Sequence, residues 1–140
     1  MTRQRGFTLL EVLVSMVIVA IGLIGLAGLM TSSLQNNQGA SQRSQATWLA
    51  YDMLDRMRAN RAAAQAGSYD TAFSTVPTGT TTAAQDLIQW KNTLATALPG
   101  GRGAIGRDLN TGLTTVSVQW DDKRGLQGIN GQVLSIASQL

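Results

Sequence analysis

A lone carboxylate, Glu11, stands at the head of an uncharged apolar run, and just before it a short basic leader meets Phe7 at Gly6. These are the residues whose types and spacing point to chemistry. Glu11 is the only glutamate in the chain. From Val12 to Met30 there are nineteen residues without charge, and Ser15 is the only polar one among them. A carboxylate at a bilayer centre costs about 2.5–3.5 kcal/mol on insertion scales, and less near an interface. The plainest use of Glu11 is therefore as an interfacial charge that also complements a helix N-terminus. The leader Met1-Thr2-Arg3-Gln4-Arg5-Gly6 changes that picture. A secretory signal has its cleavage site after a short apolar region, at small residues. Here the apolar run is too long for that, and the candidate site lies before it.

The remaining polar residues offer little reactive chemistry. The chain has no Cys and no His, which removes disulfides, thiol nucleophiles, imidazole bases and the usual zinc sites together. Asp121-Asp122 could supply half of an oxygen-ligand calcium site, but Lys123 and Arg124 beside it read as a hairpin turn. Asp52 and Asp55 each have an arginine at helical spacing, so they read as ion pairs rather than as an acid/base pair. No serine sits in a Gly-x-Ser-x-Gly elbow, and Gly100-Gly101-Arg102-Gly103 lacks the Lys-Ser/Thr of a phosphate loop. Trp48, Trp90 and Trp120 read as core or sheet-face residues. No catalytic residue, metal or cofactor is expected, and the chain does not read as an enzyme. Without Arg3 and Arg5, nine Lys and Arg face eight Asp and Glu, so the basic balance is no nucleic-acid footprint.

The elements that position these residues follow from periodicity. As a helix, Val12–Met30 spans about 28 Å, one hydrocarbon core. Gly22, Gly25 and Gly28 recur within it and, in a span without proline, mark its weakest stretch. Beyond Thr31, Ala46, Leu49, Ala50, Met53, Leu54 and Met57 follow the spacing of an amphipathic helix. The pairs Asp52/Arg56 and Asp55/Arg58 lie on it, and Arg56, Arg58 and Arg61 complement its C-terminus. One continuous helix from Phe7 to about Ala66 would be about 90 Å long. Gly67 to Ala83 reads as a loop over the head, with a turn around Pro77-Thr78-Gly79. A second helix is predicted from Ala84 to Leu98, with Leu87, Ile88, Leu94, Ala95 and Leu98 on one face, ended by Pro99-Gly100-Gly101. Thr114 to Trp120 alternates as a strand with Val116, Val118 and Trp120 on one face. Val133 to Ala137 supplies a partner, and Gly103 to Asp108 a third. So small a sheet needs a helix on its face, and the 46–57 stripe is the obvious one.

The order basic leader, Gly6-Phe7-Thr8-Leu9-Leu10-Glu11, apolar span resembles the class III signal of type IV prepilins. Together with Trp48-Leu49-Ala50-Tyr51-Asp52-Met53-Leu54-Asp55-Arg56-Met57-Arg58-Ala59-Asn60-Arg61, it is similar to the PilV-type minor pilins of the type IV pilin-like superfamily. The resemblance implies an α+β fold, a long N-terminal helix packed on a small antiparallel sheet. It implies a leader at 1–6, a membrane and assembly half of the helix at 7–30, an amphipathic half at 31–66 and a periplasmic head at 67–140. It implies cleavage between Gly6 and Phe7 by a prepilin peptidase, N-methylation of Phe7, and use of Glu11 in assembly, either within one subunit or against a neighbour's Phe7 amine. Val12 to Met30 would cross the inner membrane, with Arg3 and Arg5 holding the N-terminus in the cytoplasm. The implied partners are other minor pilins, pilus or pseudopilus subunits and a tip adhesin, with no nucleic acid. The absence of Cys departs from major pilins, many of which close a C-terminal loop with a disulfide. The alternatives are a minor pseudopilin of type II secretion and, in a different class, a signal-anchored periplasmic binding protein or enzyme.

Overall fold

The computed structural model describes residues 6–108, 110–122 and 131–140. The leader arginines Arg3 and Arg5, and the Lys123-Arg124-Gly125 part of the expected turn, lie outside the described residues.

The apolar run and the amphipathic stripe form one helix, α1 (Leu9–Ala59). Its 51 residues give a length of about 76 Å. It passes through Gly22, Gly25 and Gly28 without interruption. It begins two residues later than the expected Phe7 and breaks earlier than Ala66. The break is at Asn60 (φ −116°, ψ 51°), after which a short helix α2 runs from Arg61 to Gln65. Asn60 donates its side-chain amide to the Tyr69 hydroxyl at 3.1 Å. That bond holds the Asn60 side chain against the wrapping loop, and asparagine is in any case a weak helix-interior residue. The ending of α2 is a double reversal: Gly67 N–H donates to Ala64 O (3.1 Å) and Ser68 N–H to Ala63 O (3.0 Å). Gly67 takes φ +78°, the left-handed conformation such an ending needs and glycine adopts freely.

Only the far end of α1 is covered. Ala46, Leu49, Ala50, Met53, Leu54 and Met57 are all buried, as their spacing predicts. Opposite them lies α3 (Thr82–Ala97), which starts where the Thr81 hydroxyl accepts from Ala84 N–H at 3.3 Å. Its buried stripe is Ala83, Leu87, Trp90 and Leu94, continued by Leu98. The stripe is therefore rotated from the expected one: Ile88 is half-buried and Ala95 exposed, because Trp90 takes the centre. Trp90 also donates its indole N–H to Leu49 O of α1 at 2.9 Å, tying the two helices at the middle of the core.

The sheet has three antiparallel strands in the order β1 (Arg102–Arg107), β2 (Leu113–Trp120), β3 (Gln132–Gln139). The alternation in β2 puts Thr114, Val116, Val118 and Trp120 on the core side. Leu134 and Ile136 of β3 pack against the same core but stay half-buried. Between α2 and α3 the chain wraps the head. Thr71 bridges to Ile105 on the outer side of β1, and Lys91 donates to Ala72 O and Thr75 O at 2.7 and 2.6 Å. The hydrogen-bonded turn falls at Ala72–Thr75 rather than at Pro77–Gly79 (Thr75 N–H to Ala72 O, 3.2 Å).

Candidate assembly site on the N-terminal helix

Gly6 and Phe7 precede α1, and Thr8 is its N-cap, with an extended backbone at φ −82°, ψ 150°. The Thr8 hydroxyl accepts from the Glu11 N–H at 3.3 Å, and the Thr8 carbonyl takes the N–H groups of Glu11 and Val12 at 3.1 and 3.3 Å. Thr8-Leu9-Leu10-Glu11 thus carries the threonine half of a capping box, with Glu11 as the third helical residue. Glu11 lies in the first turn, where the helix dipole favours a negative charge. No hydrogen bond or ion pair among the described residues takes up its carboxylate. Phe7 and Glu11 would share a helical face only if Phe7 were helical; here it stands outside the cap and is 83% exposed. The cap was legible as Ser/Thr-x-x-Glu spacing, a signal that the apolar run after it obscures.

Along the span, the polar groups are satisfied inside the helix. Ser15 donates to Glu11 O (2.8 Å) or Val12 O (2.9 Å), and Thr31 donates to Ala27 O (3.0 Å). A helix that keeps its polar groups to itself suits a lipid environment. From Phe7 to Leu34 every large apolar side chain is exposed. Among the described residues, α1 is long and apolar enough to cross a membrane, and none of them covers that stretch.

Residues 1–27 match the family model of the prokaryotic N-terminal methylation motif. Residues 28–96 match the model of Type IV pilin Tt1218. The two matches adjoin, and together they run from the leader through α3. The chain is a type IV pilin-like protein. No curated protein and no solved structure matches it. The long apolar helix on a three-stranded antiparallel sheet is the α+β arrangement of such a pilin. The apolar helix and the methylation motif are consistent with a membrane-anchored pilin subunit.

In the pilin's head, side-chain hydrogen bonds and ion pairs tie the elements together. Arg56 of α1 donates to Asp52 (3.0 Å), to Asp86 (3.3 Å) and to Gln89 (2.7 Å) of α3. Tyr69 donates to the other Asp86 oxygen at 2.7 Å. Burial first, then the bond to Asp86, pushes the Tyr69 hydroxyl above the usual tyrosine pKa. Asp55 pairs with Arg58 at 2.7 Å in the open. The two helical pairs thus form at their expected spacing, but the reach of Arg56 to Asp86, thirty residues on, has no counterpart in sequence periodicity. Trp90 and Trp120 are core residues, whereas Trp48 is 66% exposed. Asp122 is buried beside Gly39 of α1, and Asp121 donates its N–H to Pro99 O at 2.8 Å. Among the described residues no three His, Cys, Asp or Glu stand together.

Proposed function

We propose that this pilin is a non-enzymatic minor pilin that joins a priming complex at the tip of a type IV pilus, in support of adhesion and twitching motility. The observation that carries the reading is Glu11: an exposed carboxylate at the mouth of an apolar helix that none of the described residues covers. A charge in that place needs a partner once lipid is left behind. A cut between Gly6 and Phe7 supplies one, a methylated Phe7 amine. Phe7 lies outside the helix and does not share a helical face with Glu11, which favours the amine of a neighbouring subunit over its own. The absence of Cys and the Trp48–Arg61 stretch support a minor rather than a major pilin. In this reading a prepilin peptidase removes residues 1–6, Val12 to Met30 anchors the subunit in the inner membrane, the head lies in the periplasm, and a tip adhesin is carried by the complex.

The test is mass spectrometry of the chain co-expressed with a prepilin peptidase. Methyl-Phe7 as the first residue is expected. An intact Met1, or a cut after Met30, overturns the reading. A bulky residue in place of Gly6 should block the cut, and Gly6→Ala should be partly tolerated.

A further inference from the structure

The two edges of the sheet are treated very differently. The outer side of β1 is engaged: Thr71 exchanges hydrogen bonds with Ile105 at 3.0 and 2.8 Å, and the strand begins and ends in arginine. Such devices keep a sheet edge from pairing with foreign chains. β3 has none of them. It is eight residues long, Gln-Val-Leu-Ser-Ile-Ala-Ser-Gln, without charge, proline or glycine. Among the described residues nothing pairs with its far side. In an antiparallel edge strand, alternate N–H and C=O groups point away from the neighbouring strand and are left for another partner.

The core is also unfinished under that edge. β3 has no buried residue, and Leu134, Ile136 and Leu140 on its inner side are only half-buried against the core. Alongside this edge stands α1. Arg43 donates to the Gln132 side chain at 3.3 Å and Arg58 to the Ser138 hydroxyl at 3.1 Å. The fifteen residues from Arg43 to Arg58 rise about 22 Å along the helix, and the six from Gln132 to Ser138 span about 20 Å of strand. Helix and strand therefore run alongside each other, with one guanidinium at each end of the open edge. Arg58 is shared with Asp55, and Arg43 is exposed.

We propose that the free edge of β3 is a docking site for an extended segment of a different protein, added as a fourth strand. That segment alternates apolar side chains toward Leu134, Ile136 and Leu140 and carries a carboxylate near each end, about six residues apart. Main-chain hydrogen bonds to β3 supply the affinity, and alternate side chains and terminal charges supply the selectivity. A second copy of this chain fits worse. Two β3 edges paired antiparallel would set Arg43 of each copy against Arg58 of the other at both ends. This inference concerns the head alone and holds whether or not residues 1–6 are removed.

The test uses the full chain in detergent micelles and synthetic octapeptides of alternating Val and Thr, ended by Glu or by Lys, with a fluorophore for anisotropy. The Glu-ended peptide is expected to bind at least tenfold more tightly than the Lys-ended one. It should also slow amide hydrogen exchange within β3. In the Arg43→Glu, Arg58→Glu double variant the order of the two peptides should reverse; should that variant misfold, Arg43→Gln with Arg58→Gln should abolish the preference instead. Unchanged exchange in β3, a preference that survives the charge changes, or equal binding to empty micelles overturns the proposal. So does a dimer of the protein that protects β3, or equally tight binding of a peptide copying Gln132–Gln139. A failed cut at Gly6-Phe7 would leave this result standing, so the two readings fail separately.

Discussion

Thr8 and Glu11 meet through backbone as well as through chemistry, and the two roles can be pulled apart. The Thr8 hydroxyl takes the Glu11 N–H, a group that survives any substitution of the Glu11 side chain. Glu11→Ala therefore removes the carboxylate and keeps the cap. It should insert and be cleaved normally, slightly better by transfer energetics, and be lost from complexes with other pilins. Glu11→Asp keeps the charge with a shorter reach and should be partly defective. Thr8→Ala does the reverse: the first turn loses about 1 kcal/mol of capping, and the carboxylate remains for assembly. Membrane fractionation beside co-purification of a second tagged pilin reads both. Normal co-purification of Glu11→Ala would reduce the carboxylate to an interfacial anchor. This part of the molecule was legible in sequence because its residues are contiguous and their order is unusual. What contiguity could not show is where Phe7 sits, since a helix start is decided by which hydroxyl reaches which N–H.

At the level of elements, α3 and β1 meet at close quarters around Gly103. A Cβ on Gly103 would run into the ring of Trp90 and lie 2.7 Å from Leu94. Trp90 cannot retreat cheaply, because its indole N–H is bonded to Leu49 O in the buried part of α1. Gly103→Ala should thus destabilise the head by about 1–3 kcal/mol through overpacking. A lowered urea midpoint at unchanged slope checks it. Trp90→Leu, costly alone, should remove much of the added penalty, so the pair should be non-additive. The stripe 46–57 and the alternation of β2 were readable because each has one face in the core and an unmixed period. The rotated face of α3 was not. Ala95 and Ile88 satisfy the apolar pattern as well as Trp90 does, and only the glycine on the facing strand makes room for the larger ring. The break at Asn60 was equally hidden, being set by Tyr69 nine residues later.

Across the whole molecule, Tyr69 links α1, the wrapping loop and α3 through Asn60 and Asp86. Its hydroxyl holds its proton more tightly in the folded head than in the open chain, where the pKa is about 10. The stability it contributes is complete below that value and is lost as pH rises through the higher folded value. Lys91 opposes it: burial lowers its pKa, so the unfolded chain binds more protons and stability rises with pH over the interval between its two values. A comparison of the head with Tyr69→Phe cancels the lysine. The loss of stability as pH rises above about 10 should be smaller in the variant, as read by denaturant midpoints. An identical pH profile would mean that Tyr69 keeps its ordinary pKa in the folded head.

The division of labour along α1 makes the strongest demand on the molecule. Among the described residues every buried side chain lies at Ala46 or beyond, and no residue from Phe7 to Met30 is buried. Removing residues 1–30 therefore takes away nothing on which the core depends. It does remove the apolar surface that needs lipid or other helices. A chain of residues 31–140 should be soluble and fold alone as a monomer, with the circular dichroism of mixed helix and antiparallel strand. The monomer is expected in spite of the open β3 edge, because Arg43 and Arg58 oppose pairing of two copies. Within it, Met53 is fully buried between α1 and the head, so Met53→Asp would place an uncompensated charge in the core. That change should cost several kcal/mol, a large share of the about 5–15 kcal/mol that holds a typical domain together. If the truncated chain itself proved disordered while the full chain in micelles stayed folded, the outer helix would be supporting the head through contacts other than burial. If Met53→Asp folded as well as its parent, the stripe at 46–57 would not be the floor of the core.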